Sequence, residues 1–401
     1  MTGDCASLVP PYSLRLCPLD ATAWYSGDGL MTNPQPPNNP PDSQRLSPPE
    51  LLSPAGSVEC ARAAVGAGAD AVYFGIAADA RSLRERVVVR APGDRPALLS
   101  SISERDLGRA EAISCFNARA RAANVPLDGL ADLVAWLHRY GVKAYVTLNT
   151  LVFPKELERF EAVVRRVAEA GVDAVLVQDL GAARLARAVC PDLPLHASTQ
   201  MSLTSAEGIR AVESLGIERV ILARELSLDD IGAIRRQTRL ALEVFVHGAL
   251  CISYSGQCLA SRTFGPRSAN RGDCAQVCRL PYELICDEAG ESVGNALRGV
   301  PGRGMAASGS IHRTPSMAIP GTPRRAFPTD GSYLLSPSDL AAYTLVPDLI
   351  RAGVAALKIE GRLKSPDYVA VATRHYRRAI DAAVAGRSPH YTDEELRQLE
   401  A

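Results

Sequence analysis

The chain has 401 residues and a neutral charge balance, with 44 basic and 44 acidic side chains. Net charge therefore excludes general attraction to nucleic acid, and any such site must be a local patch. We find no apolar run of about 18 residues and no signal-peptide pattern at the start, so we expect a cytoplasmic protein without a membrane span. Ten cysteines in a reducing compartment favour metal binding or catalysis over disulfides.

Three segments have compositions that are typical of chain without a hydrophobic core of its own. Residues 1–47 include a stretch rich in Pro, Asn and Ser, which predicts a disordered tail, unless a mis-chosen start codon means that they are not translated. Residues 78–113 are rich in Arg and Ser, and residues 287–330 are rich in Gly, Pro, Ser and Arg. We predict that both ranges are surface insertions. Their arginines fit either solvated loops or loops that contact RNA. We assign the rest of 48–401 to one domain.

A strand–helix unit recurs along this domain. Helices are predicted over 58–67, 130–140, 155–170, 180–189, 206–215, 228–237 and 341–352. Strands are predicted over 50–56, 69–75, 142–149, 172–178, 195–200, 217–223, 242–247 and 355–359. Eight such strands predict an α/β fold, a closed (β/α)8 barrel of the TIM type. An open doubly wound sheet is the alternative. The lack of a GxGxxG motif after the first strand argues against the form of that fold that binds dinucleotides.

Polar residues stand at or near the carboxyl ends of the predicted strands, where barrels of this kind place their active sites. One such residue is often structural, but a set converging on one rim indicates a binding site. We expect Glu50 to lie at the same end as this set. The candidates are Asn149, Gln178, Asp179, His196, Ser198, Gln200, Arg224, Glu225, Glu243, His247, Lys358, Glu360 and Arg362.

Four cysteines follow the seventh predicted strand within a short loop. Cys251, Cys258, Cys274 and Cys278 stand among Gly, Ser and Arg residues, whereas structural cysteines usually stand in apolar runs. Thiolates suit an iron–sulfur cluster or zinc. The irregular spacing favours a cluster over the paired knuckles of structural zinc sites. Cys286 is an alternative for one of the four ligands.

Several motifs, in this order, resemble the signature of the peptidase U32 family, the collagenase-like proteases. The similarity covers about residues 49–399 apart from the two insertions. The motifs are ELLSPAG at 50–56, FNARARA at 116–122, STQ at 198–200, the segment 243–258 and KIEGRLKSP at 358–366.

The resemblance implies an iron–sulfur enzyme. Some family members hydroxylate a pyrimidine base in ribosomal or transfer RNA without oxygen, with prephenate implicated as the hydroxyl source, and others serve ubiquinone synthesis. Their 4Fe-4S cluster is held by cysteines matching Cys251, Cys258 and Cys274, and the fourth ligand varies. RNA-modifying members also continue into further C-terminal domains, so a partner chain is a possible source of RNA contacts here.

We therefore predict an RNA-hydroxylating enzyme with a small dicarboxylate such as prephenate as co-substrate. Arg362 or Arg271 would clamp the carboxylate beside the cluster, and Glu243 or His247 would move a proton. A collagenase-like peptidase using a Cys251–His247 pair is one alternative, although no nucleophile elbow or HExxH motif supports it. A non-catalytic accessory or scaffold protein is another. The alternative role for Lys358, Glu360 and Arg362 is an internal salt-bridge set that braces the last strand.

Overall fold

The computed structural model describes residues 48–77, 116–286, 293–296 and 333–400. The predicted tail 1–47 and the predicted insertion 78–113 lie outside the described residues. Of the predicted insertion 287–330, only Val293–Ala296 is described.

Eight parallel strands close into a barrel. Each strand pairs with the next along the chain, and the eighth pairs with the first, which excludes the open sheet. The predicted (β/α)8 architecture is confirmed. The strands are β1 Glu50–Pro54, β2 Ala71–Phe74, β3 Lys143–Leu148, β4 Ala174–Val177, β5 Leu195–Ala197, β6 Ile217–Ile221, β7 Ala241–Gly248 and β8 Ala356–Ile359.

Helices follow the strands and cover the outside of the barrel. They are α1 Val58–Gly66, α2 Leu130–Arg139, α3 Leu157–Glu169, α4 Leu180–Val189, α5 Ala206–Glu213, α6 Leu228–Arg235, α7 Ala260–Thr263, α8 Val346–Arg351, α9 Pro366–Val384 and α10 Asp393–Glu400. Many begin where a side-chain oxygen accepts a hydrogen bond from a backbone N–H of the first turn. These capping residues are Ser57, Asp179, Ser205, Ser227 and Ser365. No helix in the described ranges is long and apolar enough to cross a membrane.

The strands are apolar on both faces because both faces are buried. The outward face packs against the helices in one large apolar cluster, which includes Val72, Val146 and Val246. A smaller cluster fills the barrel interior with Leu52, Leu176 and other side chains. Each fully buried aliphatic side chain contributes on the order of 1.5–3 kcal/mol to folding.

Two predictions for the C-terminal part need correction. The helix predicted from 341 begins at Val346, because Leu340–Ala341 pairs antiparallel with β7 and Pro347 occupies the first turn of α8. Sequence reasoning also missed α9, although Ser365 and Pro366 form a cap and first-turn signal.

A second compact unit comprises Gln276–Ser338. Its described part contains a 3₁₀ turn at Val277–Arg279 and an antiparallel pair formed by Glu283–Cys286 and Val293–Ala296. The Tyr282 hydroxyl donates to the Val277 carbonyl oxygen at 2.7 Å.

The turn after β1 requires glycine at position 56. A Cβ on Gly56 would lie 1.9 Å from the carbonyl oxygen of Arg362, whereas a Cβ on Gly66 would meet nothing within 4 Å. We expect Gly56→Ala to destabilise the barrel by about 2 kcal/mol or more, because the backbone of β1 or β8 must shift. Gly66→Ala, the control, should be neutral or stabilising by about 0.5–1 kcal/mol. Denaturant midpoints test this, and equal midpoints for both variants would show that the close approach is not required.

Candidate functional site

A cleft opens at the carboxyl ends of the barrel strands. Together with the solvent at its opening it holds about 370 Å³. Four of its lining residues are cationic and one is anionic, so it favours a negatively charged ligand. The lining comprises Tyr73, Ala118, Arg119, Thr147, Asn149, Leu176, Ser198, Thr199, Gln200, Ile221, Arg224, Phe245, Lys358, Glu360 and Arg362.

The single lining carboxylate, Glu360, is shared by two guanidinium groups. Arg119 donates to its Oε1 from Nε at 3.1 Å and from Nη2 at 2.8 Å, and Arg224 Nη2 lies 3.6 Å from Oε2. Burial alone would raise the pKa of Glu360, but Arg119 and then Arg224 outweigh it and lower the pKa to about 2. Glu360 therefore stays ionised at any physiological pH.

Arg362 lines the same cleft and is attracted to Glu360 only at a distance, because that carboxylate is already paired with Arg119 and Arg224. It is 4% exposed, and its Nη1 donates to the Thr147 hydroxyl at 2.8 Å and to Asn117 Oδ1 at 3.5 Å. Within the described ranges, no carboxylate lies within ion-pair distance of it. Burial, and then the nearby Arg119, lower the pKa of Arg362 to about 10, so it remains charged at neutral pH.

The segment that begins at Phe116 builds the wall beside Arg362. Asn117 is fully buried, and its side-chain amide donates to the carbonyl oxygen of Ile76 at 3.4 Å. A Cβ on Gly75 would lie 2.6 Å from Asn117 Cγ and 2.8 Å from Arg362 Nη1. Glycine at this position thus lets β2, the Asn117 segment and Arg362 meet.

The uncharged polar candidates divide by position. Asn149 lines the cleft and is held by its own hydrogen bonds, accepting from the Ala118 N–H and donating to the Ser198 hydroxyl, both at 2.9 Å. Gln200 also lines the cleft, on the 3₁₀ turn Thr199–Met201. Gln178 is buried directly after β4, and its Oε1 has no hydrogen-bond partner among the described residues.

A second charged layer lies deeper in the barrel. Glu243 is fully buried, accepting from Lys358 Nζ at 2.9 Å and from Arg219 Nη1 at 3.3 Å. Arg219 also donates to Glu50 at 2.7 Å, and Glu50 is the first residue of β1. The expectation that Glu50 and Glu243 lie at the cleft end is therefore wrong, because Glu50 stands at the amino end of its strand and Glu243 lies at the same level of the barrel, both being aligned with Ala356 of β8.

The alternative of a mutual salt-bridge set among these three residues differs from the ion pairs found. Lys358 pairs with Glu243 from the deeper layer, Glu360 pairs with Arg119 and Arg224, and Arg362 instead donates to the Thr147 hydroxyl.

The two candidate histidines do not line the cleft. His196 lies inside the barrel with its ring centroid 5.0 Å from that of Tyr145, and burial, followed by Arg219 and Lys358, lowers its pKa well below the usual value. His247 packs with its ring centroid 5.4 Å from that of Tyr376. Burial lowers the pKa of His247 to about 4. The proton-transfer roles predicted for Glu243 and His247 stay predictions.

The cysteine loop is fixed to the cleft rim at two glycines with positive φ. A Cβ on Gly256 would lie 2.0 Å from the carbonyl oxygen of Gln200, and one on Gly272 would lie 2.1 Å from that of Asn117. Cys258 and Cys274 each follow one of these glycines by two residues. The close backbone contacts therefore bring both cysteines to the rim.

The thiols fit an iron–sulfur cluster by donor chemistry. Cys251, Cys258 and Cys274 form no disulfide among the described residues and are at least partly accessible, and Cys274 contributes to the electrostatic environment of Arg119 at the cleft. Across the part of the chain that the structure describes, no group of three or more His, Cys, Asp or Glu side chains is arranged to hold a metal ion. The ligand set thus stays a prediction.

The remaining candidates lie elsewhere. Cys278 belongs to the second unit and forms no disulfide among the described residues. Arg271 is engaged by Glu156, to which its Nη1 donates at 2.9 Å, and its guanidinium lies 4.6 Å from the ring centroid of Phe153. A carboxylate ligand would have to displace Glu156 from Arg271, whereas Arg362 needs no such exchange.

Comparison with known proteins identifies the family of this chain. The family model described as peptidase family U32 matches residues 56–401. This chain belongs to peptidase family U32. The resemblance seen in the motifs is thereby confirmed.

Curated relatives within the U32 family carry two kinds of name. The chain is 37% identical over 338 residues to the 23S rRNA 5-hydroxycytidine C2501 synthase of Escherichia coli, and 31% identical over 337 residues to tRNA hydroxylation protein P1 of Bacillus subtilis. It is 28% identical over 349 residues to a protein of Porphyromonas gingivalis named collagenase. Each match covers 84% of this chain, and they span 40%, 64% and 66% of those relatives.

In this U32 chain, sequence reasoning placed Arg224 among the polar residues that follow a predicted strand, but it did not single out Arg119, which also shapes the cleft. Arg119 stands in the FNARARA motif, and Arg224 directly follows the strand predicted to end at 223. Both positions carried a signal. Neither signal showed that the two side chains meet at Glu360, because their segments are far apart in the chain.

Buried, neutral His247 makes the stability of this U32 barrel depend on pH. Its pKa is about 4 in the folded chain and about 6.5 when unfolded, so the unfolded state binds more protons between these values. Stability should be unaffected by this group above pH 6.5 and should fall, by on the order of 2–3 kcal/mol, as pH drops towards 4. His247→Gln should reduce this slope and leave the part due to buried His196, whereas His390→Gln, at an exposed position, should leave the slope unchanged. Unfolding free energy measured across the window tests this, and an unchanged slope in His247→Gln would contradict it.

Proposed function

We propose that this chain is an RNA-modifying enzyme that hydroxylates a pyrimidine base in ribosomal or transfer RNA, with prephenate as co-substrate. The observation that carries the proposal is Arg362, which has no ion pair in the described ranges and lines a cleft where three guanidinium groups share the single carboxylate Glu360. Relatives named for rRNA and tRNA hydroxylation support the reaction class.

The cleft offers suitable contacts to a base and to an anion. An enzyme that modifies a base within RNA takes it out of the stack and reads its edge by hydrogen bonds. Asn149 and Gln200 line the cleft and carry amide groups for such contacts, and Tyr73 and Phe245 add ring surface. A guanidinium binds a carboxylate through two parallel hydrogen bonds, which suits Arg362 to a dicarboxylate.

A 4Fe-4S cluster would be held by Cys251, Cys258 and Cys274 at the rim, with Cys278 or Cys286 as the fourth ligand. When bound, it would supply electron transfer next to the cleft. The chain's own contribution is to fix the loop: Glu225 accepts a hydrogen bond from the Ser255 N–H at 3.0 Å, and Arg267 donates to the Cys274 carbonyl oxygen at 2.6 Å.

A peptidase is the second candidate, and the collagenase name of a relative favours it. A cysteine nucleophile needs a histidine within hydrogen-bond reach. In the described part of the chain, no hydrogen bond joins Cys251 to His247, which instead contacts the Tyr376 hydroxyl at 3.5 Å. The hydroxylase is therefore the better-supported function.

Iron and acid-labile sulfide content test the ligand set. We expect Cys251→Ser, Cys258→Ser and Cys274→Ser each to lose most iron from anaerobically purified protein, because thiolate ligands are removed. Cys190→Ala, at a fully buried position under the helices, should keep its iron. Full iron and sulfide in two of the three rim variants would show that the assignment is wrong.

Nucleoside mass spectrometry tests the function. The full-length chain is expressed in a host that lacks base hydroxylation, and ribosomal and transfer RNA are digested and analysed. We expect a pyrimidine nucleoside that has gained one oxygen, at least tenfold less of it with Arg362→Gln, and no decrease with Arg387→Gln at an exposed position. Unmodified RNA, together with peptide hydrolysis by the purified holoprotein, would favour the peptidase instead.

A further inference from the structure

Lys358 is a buried amine that lines the cleft. It lies in the middle of β8 and is 3% exposed. Its Nζ stands 4.2 Å from the ring centroid of Tyr73 and 5.4 Å from that of Phe245. A lysine side chain usually reaches solvent, so its enclosure between two rings at the base of a cleft calls for an explanation.

The surroundings of Lys358 suit an amine that reacts. Glu243 accepts a hydrogen bond from Nζ at 2.9 Å and is the neighbour that can take up its proton. Arg219 contacts the other oxygen of Glu243 at 3.3 Å and fixes it in place. Burial lowers the pKa of Lys358, although Glu243 acts in the opposite direction. Desolvated lysines of this kind serve as nucleophiles towards carbonyl groups.

Arg362 supplies the second half of the recognition. It lines the same cleft and has no ion pair in the described ranges. Lys358 lines the cleft from β8, four residues earlier in the chain. A ligand that satisfies both groups carries a carboxylate next to a ketone. Simple dicarboxylates or phosphates would satisfy Arg362 but offer nothing to the amine.

We infer that the cleft binds a 2-oxo carboxylate, with its carboxylate on Arg362 and its ketone carbon joined to Lys358 as an imine. The inference rests on the proposed function, because it concerns the same cleft and the same anionic co-substrate, and prephenate contains a 2-oxo acid group. It assigns a covalent role to a residue that otherwise only pairs with Glu243.

The step balances without an oxidant or a reductant. Lys358 passes its proton to Glu243, and the neutral Nζ attacks the ketone carbon to form a C–N bond. The carbonyl oxygen takes up two protons and leaves as water, and the nitrogen keeps one proton as the iminium. Hydrolysis returns the lysine and the ketone.

Reductive trapping tests the inference. The anaerobic holoprotein is incubated with pyruvate or prephenate and sodium cyanoborohydride, and the adduct is located by peptide mass mapping. We expect one adduct, with the mass of the ketone less one oxygen, on Lys358. Lys358→Arg keeps the charge and should give none, and Arg362→Gln should reduce the yield at least tenfold.

Lys364 serves as the internal control, since its side chain is 43% exposed. No adduct on Lys358, or equal labelling of Lys364 and Lys358, would overturn the inference. Because the adduct is mapped in the wild-type chain, the test does not depend on the variants folding. RNA hydroxylation without trapping would remove the imine and leave the proposed function standing. Trapping without RNA hydroxylation would support the imine and contradict the proposed function.

Discussion

One carboxylate at the mouth of the barrel serves two guanidinium groups, and a third guanidinium is left without one. Glu360 is held by Arg119 and Arg224, whereas Arg362 has hydrogen bonds from its surroundings but no ion pair in the described part of the chain. A buried charge without an ion pair costs several kcal/mol. Such a cost is reasonable where an anionic ligand arrives to complete the pairing.

The charged layer deeper in the barrel is paired differently from the charged residues at the cleft. There Glu243 lies between Lys358 and Arg219, and Arg219 reaches Glu50, so charges of opposite sign alternate. Removing one member of such a buried set is expected to destabilise the fold, because its partners lose their compensation. The guanidinium groups at the cleft outnumber their carboxylate instead, and this excess of positive charge suits the cleft to an anion.

Local close approaches link the fold to the site. Gly56 lets the turn after β1 meet the backbone of Arg362, and Gly75 admits the Asn117 segment against the same arginine. Gly256 and Gly272 fix the cysteine loop to the rim in the same manner. The anion site and the cysteines are therefore positioned by backbone contacts that tolerate no side chain.

Periodicity and glycine-ended helices were sufficient to predict all eight strands, because the barrel buries both faces of each strand. Asn149, Gln200, Glu360 and Arg362 were predicted at the cleft because strand ends determine where such residues lie. The sequence could not show the direction in which each side chain points. Glu50 was expected at the cleft end although the first residue of a strand lies at the opposite end.

Partnerships were also beyond sequence reasoning. Glu360 and Arg119 are separated by 241 residues in the chain, so no local sequence pattern can predict their contact. His247 stands near the end of a strand but packs against Tyr376 of α9, a helix that had not been predicted. Ligation of an iron–sulfur cluster by the four cysteines stays a prediction, because only thiol spacing and family resemblance indicate the cluster.

Binding of prephenate to the anaerobic holoprotein, measured by calorimetry together with melting temperature, tests the central claim most directly. We expect Arg362→Gln to weaken binding about tenfold to a hundredfold, as the loss of a charge-assisted pair implies, with little change in melting temperature. Arg387→Gln should bind as the wild type does. A large fall in melting temperature with affinity unchanged in the folded fraction would mean that Arg362 braces the barrel mouth and does not receive an anion.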